Sequence, residues 1–292
     1  MSHKVRRLGT HGFLAGVAFA LLGGCAAHHT SVADDDTTTL AQDGSDTSAA
    51  ENDTETISQS FIASSGSLAL ASSGALAGGE LTAANLGDGA RALYLPAGCL
   101  TVTSDPATRT ASYAFAHCTG PYGLLDVTGT IKVTTAAAPA AASGGGSARL
   151  ILDFVGTGLK VNRATADWTA HAEISSTAIG TRTMVWKAQL TGTTARGRAF
   201  TRTNAKTLEW TVGQECVLVN GSSDGDVTGR NIHTDVIHYS RCRGECPAAG
   251  SEIRITNANS GKTVDLTYDG GNHATFTGPN GKQTDVVLAC GL

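Results

Sequence analysis

Four sets of residues in this chain have the types and spacing to do chemistry. The first is Cys99, Cys118, Cys216, Cys242, Cys246 and Cys290. Cys242-Arg-Gly-Glu-Cys246 could offer two thiolates to zinc, with Cys216, Cys290 or His238 as further ligands. None of these repeats a short spacing, and an oxidising compartment favours disulfides instead. The second set is the scattered histidines His117, His171, His233, His238 and His273. On a strand, His233 and Asp235 share one face and His238 the other, a poor arrangement for a triad. The third is Asn220-Gly-Ser-Ser-Asp-Gly-Asp-Val-Thr-Gly, where Asp224 and Asp226 bracket Gly225 as weak metal candidates. It lacks the terminal Glu and flanking helices of an EF-hand, so a polar hairpin turn is the simpler expectation. The fourth is basic: Arg196, Arg198, Arg202 and Lys206 around Gly197, suited to anionic lipid or polysaccharide, or to salt partners on a solvated loop. No GxSxG, HExxH, P-loop or dinucleotide fingerprint occurs, so neither an enzyme nor a cofactor is expected.

The start of the chain carries an export signal. Lys4, Arg6 and Arg7 precede an apolar run from Phe13 to Leu22, then Gly23-Gly24-Cys25. The run is too short to span a bilayer, which needs about 20 residues. Leu22-Gly-Gly-Cys25 resembles the bacterial lipobox, which implies a signal peptide over 1–24 and acylation of Cys25. Ala26 in the next position implies the outer membrane of a Gram-negative envelope. The membrane is then the expected partner, through N-terminal acyl chains.

Net charge divides unevenly. Residues 26–60 carry eight acids and no Lys or Arg, whereas 61–292 hold 18 basic and 17 acidic residues. The acidic stretch is rich in Ser, Thr and Ala, and its first aromatic neighbour is Phe61. Such a composition predicts a disordered acidic tether over 25–60. Residues 61–91 are an Ala/Ser/Gly-rich lead-in with room for one short helix. The near-neutral remainder has no basic footprint for nucleic acid.

From residue 92 onward the period is two. Ala166, Trp168, Ala170, Ala172 and Ile174 alternate with Thr165, Asp167, Thr169, His171 and Glu173. Similar alternation runs through 125–134, 183–191 and 207–212, and turn-forming residues separate the runs. This predicts an all-β domain over 92–292, an antiparallel meander of about a dozen strands, barrel-like or sandwich and stapled by disulfides. Trp168, Trp186 and Trp210 fall on apolar faces, as core or as the lining of an apolar pocket.

Six cysteines allow fifteen pairings. Cys99–Cys118 places its midpoint in the Asp105-Pro-Ala-Thr-Arg turn and sets Leu100 opposite His117 and Val102 opposite Phe115. Cys216–Cys242 centres on Gly229, which leaves Cys246–Cys290 to close the C-terminal meander.

Gly98-Cys-Leu-Thr-Val-Thr, Cys118-Thr-Gly-Pro-Tyr-Gly-Leu-Leu-Asp-Val-Thr-Gly-Thr and Arg241-Cys-Arg-Gly-Glu-Cys-Pro-Ala-Ala-Gly resemble stretches of uncharacterised exported lipoproteins in myxobacterial-type genomes. The C-terminal Thr-Val-Asp-Leu-Thr-Tyr-Asp-Gly fits the same group. No activity follows from that resemblance. The expected role is a lipid-anchored envelope protein, structural or binding and non-enzymatic. The alternatives are a carrier of an apolar ligand inside a barrel and, more distantly, an envelope hydrolase.

Overall fold

A computed structural model describes residues 35–64, 91, 93–120, 126–137, 149–176, 181–211, 216–242 and 245–287. Among the described residues, one 30-residue helix, α1 (Asp35–Ser64), precedes thirteen strands. They are β1 (Leu100–Asp105), β2 (Thr110–Thr119), β3 (Asp126–Ala137), β4 (Arg149–Val161), β5 (Ala164–Ser176), β6 (Thr181–Thr193) and β7 (Ala199–Thr211). β8 (Cys216–Val227), β9 (Arg230–Cys242), β10 (Glu252–Asn257), β11 (Thr263–Tyr268), β12 (His273–Thr277) and β13 (Gln283–Val287) complete the sheet. Strand order follows chain order, and every pairing is antiparallel. The predicted all-β meander is therefore present as one sheet rather than a sandwich of two, and it is not closed into a barrel.

The alternation read from sequence is the burial pattern. On β5, Ala166, Trp168, Ala170, Ala172 and Ile174 are buried. The last four join Leu152, Phe154, Met184, Trp186 and Leu208 in one core on one face of the sheet. The other face is wet and threonine-rich.

The tether expected over 25–60 is corrected from Asp35 onward: this stretch belongs to a 30-residue helix. Ser, Thr, Asp and Gly are poor helix formers, and the segment would not hold a helix alone in water. The sheet supplies what the sequence lacks. Leu40, Ile57 and Phe61 are fully buried in its core. The hydroxyls of Thr47, Thr54, Ser58 and Ser60 donate back to carbonyls three or four residues earlier. Apolar surface alone is too sparse to order this stretch, and acids buried against fixed cations supply the rest. The lead-in expected over 61–91 gives its first four residues to the same helix; residues 65–90, like the signal segment and Cys25, lie outside the described residues.

The sheet curls around α1. Phe61 packs against Tyr113 of β2 with ring centroids 4.4 Å apart and the rings tilted by 31°. At the other end of the helix, Gly44 lies against Ile255 of β10, where an added Cβ would sit 2.7 Å from the isoleucine side chain. Eight strand spacings would separate β2 from β10 by about 38 Å in a flat sheet. A helix is only about 10–12 Å across. Bulges assist the bend: the register shifts at Thr128/Thr130 on β3, Gly156/Leu159 on β4 and Val219/Gly221 on β8.

Disulfides join Cys99 to Cys118 and Cys216 to Cys242. The β1–β2 register differs from expectation by two residues: Leu100 faces Phe115, and Val102 faces Tyr113. A bulge between Phe115 and Cys118, with His117 at φ 52°, absorbs the difference and returns Cys118 to Cys99. A slip of two keeps each side chain on its face, so the aromatic face survives. Cys216 and Cys242 are direct cross-strand partners, and Thr228-Gly229, both at positive φ, form the two-residue turn. Cys246 is also disulfide-bonded; its expected partner, Cys290, lies outside the described residues. Cys242 and Cys246, both oxidised, cannot act as the zinc thiolates their spacing suggested.

Candidate functional site

The four basic residues singled out by sequence meet an anion, and it is the chain's own helix. β7 alternates Phe200, Arg202, Asn204, Lys206 and Leu208 onto the concave face, all buried. Arg198 lies just before β7, and Arg196 in the β6–β7 turn. α1 runs alongside in the same direction. Asp43 pairs with Arg198 at 2.8 Å and with Arg230 at 3.4 Å. Asp46 pairs with Arg196 at 3.2 Å, and Glu51 with Arg202 at 2.9 Å. Lys206 Nζ reaches Glu51 at 3.2 Å and Glu55 at 2.5 Å.

The deep half of this ladder is dry. The side chains of Arg202, Glu51 and Lys206 are 0%, 1% and 3% exposed. Burial on that scale is tolerated only where each charge is paired and hydrogen-bonded. Arg202 meets the condition. Its Nε donates to Glu51, one terminal nitrogen to the Ile232 carbonyl, and the other to Ser223 and Thr234. Gly225 on β8 makes room, since a Cβ there would strike the Thr201 carbonyl at 1.9 Å and Arg202 Cδ at 2.9 Å.

The carboxyls answer this field differently. Burial works to raise Glu51, but Lys206 and Arg202 outweigh it and hold the group below the usual carboxylate range. Glu55 has Lys206 alone, and burial leaves it raised. Burial also raises Asp43 and Asp46, against their arginines. Lys206 is penalised by burial, but Glu55 and Glu51 carry it above its ordinary value. Asn204, 1% exposed between Arg202 and Lys206 on the same face, has no hydrogen-bond partner on either amide atom among the described residues.

The wet face carries two histidines held between acids. His171 Nδ1 lies 2.7 Å from Asp153 and Nε2 3.4 Å from Glu173. His233 Nδ1 lies 2.6 Å from Asp224 and Nε2 3.0 Å from Asp235. The hydrogen bond that His233 donates to Asp224 raises the His233 pKa. Both ring nitrogens of each histidine face a carboxylate oxygen.

Asp224 and Asp226 do not form a loop. Both lie on β8, where Asp224 serves His233 and Asp226 accepts the Gly229 amide of the hairpin. Among the described residues, no group of three or more His, Cys, Asp or Glu could hold a metal ion. No helix among them is long and apolar enough to cross a membrane. His238 is exposed and bonded through its backbone to Asn220, apart from the His233 cluster.

Sequence reasoning missed the acidic half of the ladder. The signal was parity: Arg202 and Lys206 share it with Phe200 and Leu208, and so fall on the core face. Core cations demand buried anions, and Asp43, Glu51 and Glu55 recur at helical spacing. No family model, curated protein or solved structure matches the chain.

Proposed function

We propose that the protein is a lipid-anchored cell-envelope protein, acylated at Cys25, whose β domain has a structural or binding role rather than an enzymatic one. The observation that carries this reading is the occupation of the concave face. A carrier would hold its ligand there, and α1 fills the position with buried ion pairs. What remains for partners is the threonine-rich outer face. The helix also changes the anchor. Nine residues, 26–34, lie between Cys25 and Asp35, a reach of at most about 35 Å. The N-terminal half of α1 is held, through Asp43 and Asp46, by Arg196, Arg198 and Arg230, at the end of the sheet with the β6–β7 and β8–β9 turns. That end would face the outer membrane of a Gram-negative cell, close to its surface.

Metabolic labelling with an alkynyl palmitate tests the anchor. The expected result is labelled protein in the membrane fraction, with label lost in Cys25→Ala; an unlabelled wild-type chain overturns the reading. Native mass spectrometry of the detergent-released protein separates the carrier alternative. No lipid beyond the anchor is expected, and one stoichiometric lipid held by the sheet would favour a carrier.

A further inference from the structure

Lys206, Glu51 and Glu55 are an amine and two carboxyls sealed in one dry pocket, and this arrangement can do more than pair charges. Nζ lies 2.5 Å from Glu55 Oε1 and 3.2 Å from Glu51 Oε2. The three side chains are 3%, 6% and 1% exposed. In water, an amine and a carboxylic acid remain apart because each is ionised and solvated. A dry pocket removes the solvation and holds the reacting groups in contact, the condition under which intramolecular reactions gain their large effective concentrations.

We propose that Lys206 and Glu55 condense to an intramolecular isopeptide bond, with Glu51 as the catalytic proton carrier. The ammonium first gives one proton to Glu55, leaving a neutral amine against a neutral acid. Burial acts toward that uncharged pair and raises Glu55, whereas the two carboxyls hold Lys206 above its ordinary value, so the neutral pair is the minor, reactive form. The Nζ lone pair then attacks Glu55 Cδ and forms the C–N bond. Glu51, held ionised by Lys206 and Arg202, takes the second N–H proton. It returns that proton to a Glu55 oxygen, the C–O bond breaks, and water leaves. Nothing is oxidised or reduced, and no co-reactant is consumed. The product joins residues 151 positions apart and locks α1 covalently to β7.

The bond has a physical use in this fold. α1 is a weak helix, and under the proposed anchoring any pull from the membrane enters the domain through it. An amide to β7 would carry that load where ion pairs alone would yield. The inference does not depend on acylation of Cys25, and the two tests fail separately.

The test is the mass of the mature full-length protein, denatured and with its disulfides reduced. The expected mass is lower by one water than the sum of its residues and anchor. Proteolysis should release two peptides joined through Glu55 and Lys206. A chain of full mass with no joined peptides overturns the proposal. So does the loss of one ammonia with the junction at Asn204, whose unpartnered amide lies on the same face of the same strand. Lys206→Arg keeps the charge and should give the full mass. Glu51→Gln should slow condensation at least about 100-fold. A fully cross-linked Glu51→Gln chain would remove Glu51 from the step. The wild-type measurement needs no variant to fold.

Discussion

Asp53 shows what the basic ladder does for its neighbours, because it gains nothing from it. Glu51, two residues away, is buried more deeply and is nonetheless held below the usual range by Lys206 and Arg202. Asp53 is only partly buried, yet burial alone pushes its carboxyl up to about 7 from 3.8. The consequence for stability follows from linkage. A raised carboxyl means the folded state keeps a proton that the unfolded chain has released. Stability is therefore undiminished below about pH 4, falls as pH rises, and has lost its full share above about pH 7. Asp53→Asn removes the penalty. It should stabilise the protein at pH 8 by about 2 kcal/mol, after discounting for partial exposure, and leave it unchanged near pH 4. Denaturant unfolding at the two pH values measures this. A variant no more stable at pH 8 would mean that Asp53 finds a partner or water when ionised.

At the scale of the element, α1 is made by its surroundings, and Gly44 is where that dependence is sharpest. Glycine in a helix interior costs about 1 kcal/mol relative to alanine. Here it allows close approach, since a Cβ would stand 2.7 Å from both Cδ1 and Cγ2 of Ile255. Gly44→Ala should therefore destabilise the wild-type chain despite its better propensity. In an Ile255→Ala background the clash is gone, and the same change should stabilise by about 0.5–1 kcal/mol. A double-mutant cycle reads the sign reversal, and an equal effect in both backgrounds would separate the helix from β10. The strands were legible for the opposite reason: period-two alternation is written into each strand and needs no distant partner. The basic cluster was legible as a cluster, because Arg196 to Lys206 are close in sequence. Its use was not, because the answering acids lie about 150 positions earlier in a segment whose composition argues against order. The β1–β2 register was off by two because no residue type announces a bulge at His117.

For the whole molecule, the same reasoning predicts which parts open together. Closed barrels have no edges, whereas this sheet ends at β1 and β13. β13 contributes little to the core: four of its five residues are exposed, and Val287 is 68% exposed. The middle strands are different. β4 to β6 carry the Phe154–Trp168–Trp186 cluster, with ring centroids 5.6–5.9 Å apart, and β7 carries the ladder to α1. Withdrawing α1 without unfolding the sheet would strand Arg202, a buried cation with its anion removed, at a cost of about 3–5 kcal/mol. Helix and central strands should therefore form one cooperative unit, although the helix is the least stable element in isolation. Native-state hydrogen exchange should find the α1 amides around Glu51 and Glu55 as protected as those of β7, with β13 exchanging many-fold faster. Fast exchange across α1 with β7 still protected would show the helix leaving the sheet alone. The concave face would then be open to another occupant, and the carrier reading would regain its site.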